Sequence, residues 1–65
     1  GLPAAPSPAL LEKARKIAPG FDIYALYYDW RIFASKQKEA PRSLDAAFLG
    51  YCKKQVSREN ELSGN

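Results

Sequence analysis

Apolar residues recur at helical spacing in three stretches of the chain, and the second stretch, residues 22–36, holds the only tryptophan. At about 100° per residue, five apolar side chains of this stretch share one narrow stripe with Phe33 at its flank. The five are Ile23, Leu26, Tyr27, Trp30 and Ala34. The pattern therefore predicts a helix with this stripe in the core.

A second face of the same predicted helix is also aromatic. Tyr24, Tyr28, Arg31 and Ser35 group beside the core stripe, and Ile32 points almost directly away from it. A helix that is apolar or aromatic nearly all round is either central in its own bundle or covered by a partner. We therefore expect the ligand on this second face.

Helix-capping residues bound the other two predicted helices. Ser7 followed by Pro8 favours a helix over residues 8–17, which Ala18-Pro19-Gly20 ends. Asp22 is the expected N-cap of the central helix, with Phe21 before it as a hydrophobic staple. Ser43 is expected to cap a third helix over residues 43–56, which has Leu44, Ala47, Phe48 and Tyr51 on its inner face.

The interpretation is an all-α protein, a small three-helix bundle with flexible ends. Residues 1–6 are expected to be a linker, 7–56 the bundle and 57–65 a flexible tail, because the last segment has no sustained apolar period. Gly50 costs helix stability, so we expect a close crossing of the second helix there. The Pro/Ala-rich start and the absence of methionine suggest a domain of a longer protein.

Composition excludes most catalytic chemistry. The 65 residues include no histidine and one cysteine, so an internal disulfide and the usual zinc ligand sets are excluded. Asp22 and Asp45 are explained by helix starts, and Asp29 by solvent or a neighbouring base. We expect no enzyme, no cofactor and no metal site, with Cys52 a half-buried helix residue. No apolar run is long enough for a membrane span, and a reducing cytoplasmic location fits best.

Aromatic and basic residues together form the informative pattern. The net charge is +3, a mild basic excess. Bases of single-stranded DNA stack on flat side chains while lysine and arginine neutralise the phosphates. The expected nucleic-acid-binding residues are Tyr24, Tyr28, Arg31, Lys36, Lys38, Arg42, Lys53 and Lys54.

Two other interpretations of these residues remain. The tyrosines complete a small core and the lysines only solubilise the chain, or Tyr28 and Ile32 form an apolar patch that docks another protein. Readout of a DNA duplex is disfavoured, because the third helix lacks the Arg, Asn and Gln series that reads base edges.

Two sets of motifs carry a resemblance to known proteins. P-x-L-L at 8–11, A-P-G at 18–20 and D-x-x-x-L-x-x-x-W at 22–30 are similar to the C-terminal domain of the bacterial primosomal protein DnaT. The run at 18–31 with L-D-A-A-F-L-G-Y-C at 44–52 also resembles terminal segments of plasmid replication and mobilisation proteins.

The resemblance covers roughly residues 8–55 and implies single-stranded DNA binding during replication restart. The DnaT-like pattern tends to carry a tryptophan where this chain has Phe48. We therefore expect an accessory domain of a bacterial, plasmid-borne replication or conjugation protein that binds single-stranded DNA and another replication or transfer protein. The alternative is a protein-docking module.

Overall fold

The computed structural model describes residues 3–39 and 41–63, which form three helices and no strand. The helices are α1 (Pro8–Ile17), α2 (Ile23–Ser35) and α3 (Leu44–Ser63), and each of them packs against the other two. The predicted all-α three-helix bundle is confirmed. Residues 1–2, 40 and 64–65 lie outside the described part. The predicted linker is therefore described from residue 3 and the predicted tail as far as residue 63.

The three predicted N-caps are all in place. The backbone N–H of Leu10 donates to Ser7 Oγ, that of Ala25 to Asp22 Oδ1, and that of Ala46 to Ser43 Oγ, each at 3.2 Å. Each bond satisfies one of the amides that a helix start leaves without a partner inside the helix. The starts of the helices are therefore determined locally.

A tight turn joins α1 to α2. The Phe21 N–H donates to the Ala18 carbonyl at 3.2 Å, and Gly20 between them has φ of +84°. Proline suits the second position of such a turn and glycine the third, where φ must be positive. The sequence Ala18-Pro19-Gly20 thus ends α1 and returns the chain within four residues.

The core contains at least one residue from every helix. Its fully buried side chains are Leu10, Ala14, Ala18, Ile23, Tyr27, Trp30, Phe48 and Cys52. At its centre the ring of Tyr27 lies 5.6 Å from that of Trp30 and 5.2 Å from that of Phe48, the latter edge to face. Such aromatic pairs stabilise by about 0.5–1.5 kcal/mol beyond the area that they bury. The predicted core stripe of α2 is therefore the observed one.

The described part of the expected linker, residues 3–6, lies against the bundle. The Tyr27 hydroxyl donates to the Pro3 carbonyl at 3.0 Å, a bond between residues 24 positions apart. Pro3, Ala5 and Pro6 line a small groove together with α1 and the start of α3. A buried tyrosine needs a partner for its hydroxyl, and this segment supplies it.

Helix α3 is longer than expected. It continues to Ser63, seven residues beyond Val56, and the side chains of residues 57–62 are exposed. The expectation of a non-helical segment after residue 56 is corrected as far as residue 63. An apolar period reports packing, and arginine, glutamate and leucine extend a helix by their own propensity without packing.

The expectation for Gly50 is also corrected. The position is exposed, and a Cβ built there meets no atom within 4 Å. No helix crosses closely at this point. The glycine is a cost to α3 that no packing contact offsets.

No helix in the described ranges has the length and apolarity required to cross a lipid bilayer.

We predict that Trp30→Ala unfolds the domain. Truncation of a buried tryptophan costs about 3–5 kcal/mol, comparable with the whole stability of so small a domain. Urea unfolding followed by circular dichroism measures the loss. Ile32→Ala is the matched control on the same helix, since Ile32 is 58% exposed and its loss should stay within about 0.5 kcal/mol. A Trp30→Ala variant as stable as this control would contradict the core assignment.

We predict opposite effects of alanine at two glycines. Gly50→Ala should stabilise the protein by about 0.5–1 kcal/mol, because Gly50 lies within a helix and the added methyl group meets nothing. Gly20→Ala should destabilise it by about 1–2 kcal/mol, because Gly20 has positive φ. Thermal melts of the two variants measure both effects. A melting temperature of Gly50→Ala below that of the unchanged protein would contradict the open space at Gly50 and support a close helix crossing there.

Candidate nucleic-acid interface

One side of α2 presents large side chains that no other described helix covers. Tyr24 is 46% exposed, Tyr28 47% and Ile32 58%. They lie four residues apart, so each is about one helical turn beyond the last and all three share a side. We name the pair Tyr24 and Tyr28 the tyrosine face, and Ile32 lies one turn beyond it on the same side. Both tyrosines belong to the predicted second face of the central helix, which groups them with Arg31 and Ser35 and sets Ile32 apart.

The orientation of Tyr28 is supported from the core. Its ring centroid lies 6.4 Å from that of buried Tyr27, at an interplanar angle of 66°. This edge-to-face arrangement is a favoured one for aromatic rings. Tyr27 in turn is held by Trp30, Phe48 and the Pro3 carbonyl. Tyr28 is therefore an exposed ring on a rigid support.

Arg31 lies closer to the core than the other predicted binding residues. It is half-buried, and its Nε is buried without a hydrogen-bond partner among the described residues. Burial raises the pKa of the Tyr27 hydroxyl, the Arg31 charge lowers it and the Asp45 charge raises it. The guanidinium thus acts on Tyr27, at the border between the core and the tyrosine face.

Three further predicted cations follow the end of α2. Lys36 is the C-cap, where its backbone N–H contacts the carbonyls of Phe33 and Ala34. Lys38 and Arg42 lie in the connection to α3, and all three side chains are exposed. Lys36 lies two turns beyond Tyr28, about 12 Å along the helix axis. The chain itself therefore places positive charge next to the tyrosine face.

Lys53 and Lys54 lie on a different helix, α3. Both are exposed on α3, close in sequence to Tyr51, whose ring lies 6.1 Å from that of Phe33. Phe33 is nine residues after Tyr24 and so lies about 180° around α2 from it. No hydrogen bond or ring contact within the described ranges joins either lysine to the tyrosine face. Six of the eight predicted residues therefore belong to α2 and the segment that follows it, and two belong to α3.

The Phe33–Tyr51 pair is a feature that sequence reasoning missed. Phe33 is 53% exposed, and Tyr51 is half-buried against it. Burial raises the pKa of the Tyr51 hydroxyl, the Asp29 charge raises it further and the Arg58 charge lowers it. The position of Phe33 at the flank of the core stripe was the only signal for this edge.

A groove between residues 3–7 and the bundle was also missed. Its volume is about 160 Å³, and Leu10, Tyr27 and Leu44 are among its lining residues. Pockets for small molecules are usually about 300–1,000 Å³, so this groove is too small for one. The proline-rich start of the chain, which was expected to be a linker, was a signal for this groove.

Residues capable of nucleophilic or metal chemistry are not assembled into a site. Cys52 is fully buried, and burial raises the pKa of its thiol to about 11. Among the described residues, no three histidine, cysteine or acidic side chains form a group that could hold a metal ion. The candidate site consists of the tyrosine face and the cations that follow α2.

The chain matches no protein-family model. No similar protein of known role and no similar solved structure was found for it. The case for a function therefore depends on the geometry of the surface and on the resemblance of the sequence motifs.

We predict that Cys52 is unreactive in the folded protein. With a pKa of about 11, only about one thiol in a thousand is ionised at pH 8, and the sulfur is buried. The thiol should react with Ellman's reagent at pH 8 only after denaturant is added. Because folding raises the pKa of the Cys52 thiol, its contribution to the free energy of unfolding is complete below pH 9 and is lost as the pH rises towards 11. Rapid labelling without denaturant would contradict the buried position.

Proposed function

We propose that the protein binds single-stranded DNA through the tyrosine face, as an accessory domain of a bacterial, plasmid-borne replication or conjugation protein in the cytoplasm. The observation that carries the proposal is the pair Tyr24 and Tyr28. Both rings are about half exposed, one helical turn apart, on a side of α2 that the described helices leave open. The similarity of the motifs to the DnaT C-terminal domain supports the same function.

Stacking on these rings accounts for a preference for single strands. The faces of bases are accessible where a strand is unpaired, and each stacked base contributes about 1–3 kcal/mol. In a duplex the same faces are covered by neighbouring base pairs. Two exposed tyrosines therefore favour unpaired over paired DNA.

The charges next to the tyrosine face limit the expected affinity. Lys36, Lys38 and Arg42 provide three exposed cations, and Arg31 a half-buried one. For single strands the logarithm of the affinity falls by about 0.7 per phosphate contact for each tenfold rise in salt. Three contacts thus imply a roughly 20-fold loss between about 50 and 200 mM salt.

Titration with oligo-dT tests the proposal. A fluorescent strand of about 10–20 nucleotides should bind in the micromolar range or more weakly at low salt, with a duplex of the same length binding less well. Anisotropy at the two salt concentrations should show the loss in affinity. Absence of binding at both, or tighter binding to the duplex, would overturn the proposal.

A pair of variants tests the location of the site. Tyr24→Ala/Tyr28→Ala should lose about tenfold or more in affinity, because both stacking platforms are removed. Phe33→Ala is the control, since it removes an exposed ring from the opposite side of the same helix. Circular dichroism should show both variants folded. Equal losses in the two variants, or none in the double variant, would contradict the assignment of the tyrosine face.

Docking of another replication or transfer protein is the second candidate, and the exposure of Ile32 favours it. An isoleucine neither stacks on a base nor contacts a phosphate, whereas an apolar interface would bury it with both tyrosines. Ile32→Ser separates the two functions. It should leave DNA affinity unchanged if the strand is the ligand, and should weaken a salt-insensitive protein complex if docking is the function.

A further inference from the structure

The spacing of the two tyrosines limits the shape of a strand that both could hold. Tyr24 and Tyr28 are four residues apart in α2, which separates them by about 6 Å along the helix axis. Stacked bases in one strand of a duplex are about 3.4 Å apart. Two neighbouring bases on these rings would therefore be too far apart to stay stacked on each other.

The backbone of α2 fixes the separation of the two positions, and the core supports the Tyr28 ring. This ring lies edge to face with Tyr27, and Tyr27 is fully buried and bonded to the Pro3 carbonyl. Movement of the Tyr28 ring away from Tyr27 would lose that contact. The strand must therefore adapt to the protein, and the adaptation costs base–base stacking.

From this spacing we infer that the tyrosine face selects short, flexible, pyrimidine-rich single strands in an extended form, one base on each ring. The inference rests on the proposed function. Purine strands such as oligo-dA stack on themselves more strongly, so they lose more when drawn out, whereas oligo-dT loses little. Modest preferences for pyrimidine runs arise in this way, from stacking strength and flexibility without hydrogen bonds to base edges.

The same spacing predicts the length of strand that the site covers. Tyr24 to Lys36 is twelve residues, about 18 Å along the axis of α2. At about 6 Å per nucleotide, a strand that reaches from the first tyrosine to the first lysine contains about four nucleotides. This lies at the short end of the range of about 4–16 nucleotides for one single-strand-binding fold.

Competition between strands of matched length tests the inference. In about 50 mM salt, the protein should bind dT₈ about three- to tenfold more tightly than dA₈, in line with a preference set by stacking. Affinity for oligo-dT should rise steeply up to about four nucleotides and only slightly beyond. Equal affinity for the two strands, or a steep rise that continues to eight nucleotides, would overturn the inference while the proposed function stands. Absence of oligo-dT binding would overturn both.

Single variants show whether the preference depends on both rings. Tyr24→Ala and Tyr28→Ala should each weaken binding and also abolish the difference between dT₈ and dA₈, because one ring no longer forces neighbouring bases apart. Lys36→Ala is the matched control. It should weaken binding of both strands equally and reduce the salt slope by about one phosphate contact, with the preference unchanged. A preference that survives the loss of either tyrosine would contradict the inference.

Discussion

Burial of Tyr27 is the interaction on which the rest of this small bundle depends. Its ring packs on Trp30 in the same helix and on Phe48 of α3, and its hydroxyl bonds to the segment before α1. One side chain thus connects three parts of the chain that lie far apart in sequence. In a domain of 65 residues, which can bury only a limited apolar area, such a cluster accounts for a large share of the stability.

The same cluster decides which side of α2 is available for binding. Ile23, Tyr27 and Trp30 are buried in the core. Tyr24 and Tyr28 follow Ile23 by one and five residues, so they lie on another side of α2, towards solvent. The contact between the rings of Tyr27 and Tyr28 then restricts the motion of the exposed Tyr28 ring. A rigid aromatic platform loses little conformational freedom on binding, which favours affinity for a flexible strand.

The positive charge of the molecule is spread over all three helices and the connection between α2 and α3, and only part of it follows the tyrosines along the chain. Lys36, Lys38 and Arg42 follow α2 directly, whereas Lys53 and Lys54 lie on α3. The proposed site therefore contains few cations, which agrees with weak, salt-dependent binding.

The sequence by itself determined the three helices, their N-caps, the turn at Gly20 and the core stripe of α2, because caps and apolar periodicity act between residues a few positions apart. Tertiary structure decided the rest. No local pattern encodes features that depend on residues distant in sequence. These features are the hydrogen bond from Tyr27 to Pro3, the packing that half-buries Arg31 and the contact between Phe33 and Tyr51. The apolar pattern of α3 ends at Val56, and helix propensity extends the helix beyond that residue to Ser63. Tertiary structure also decides how the predicted binding residues of α2 and α3 lie relative to one another, since helix-wheel geometry orders residues around one helix and packing alone sets which sides of two helices meet.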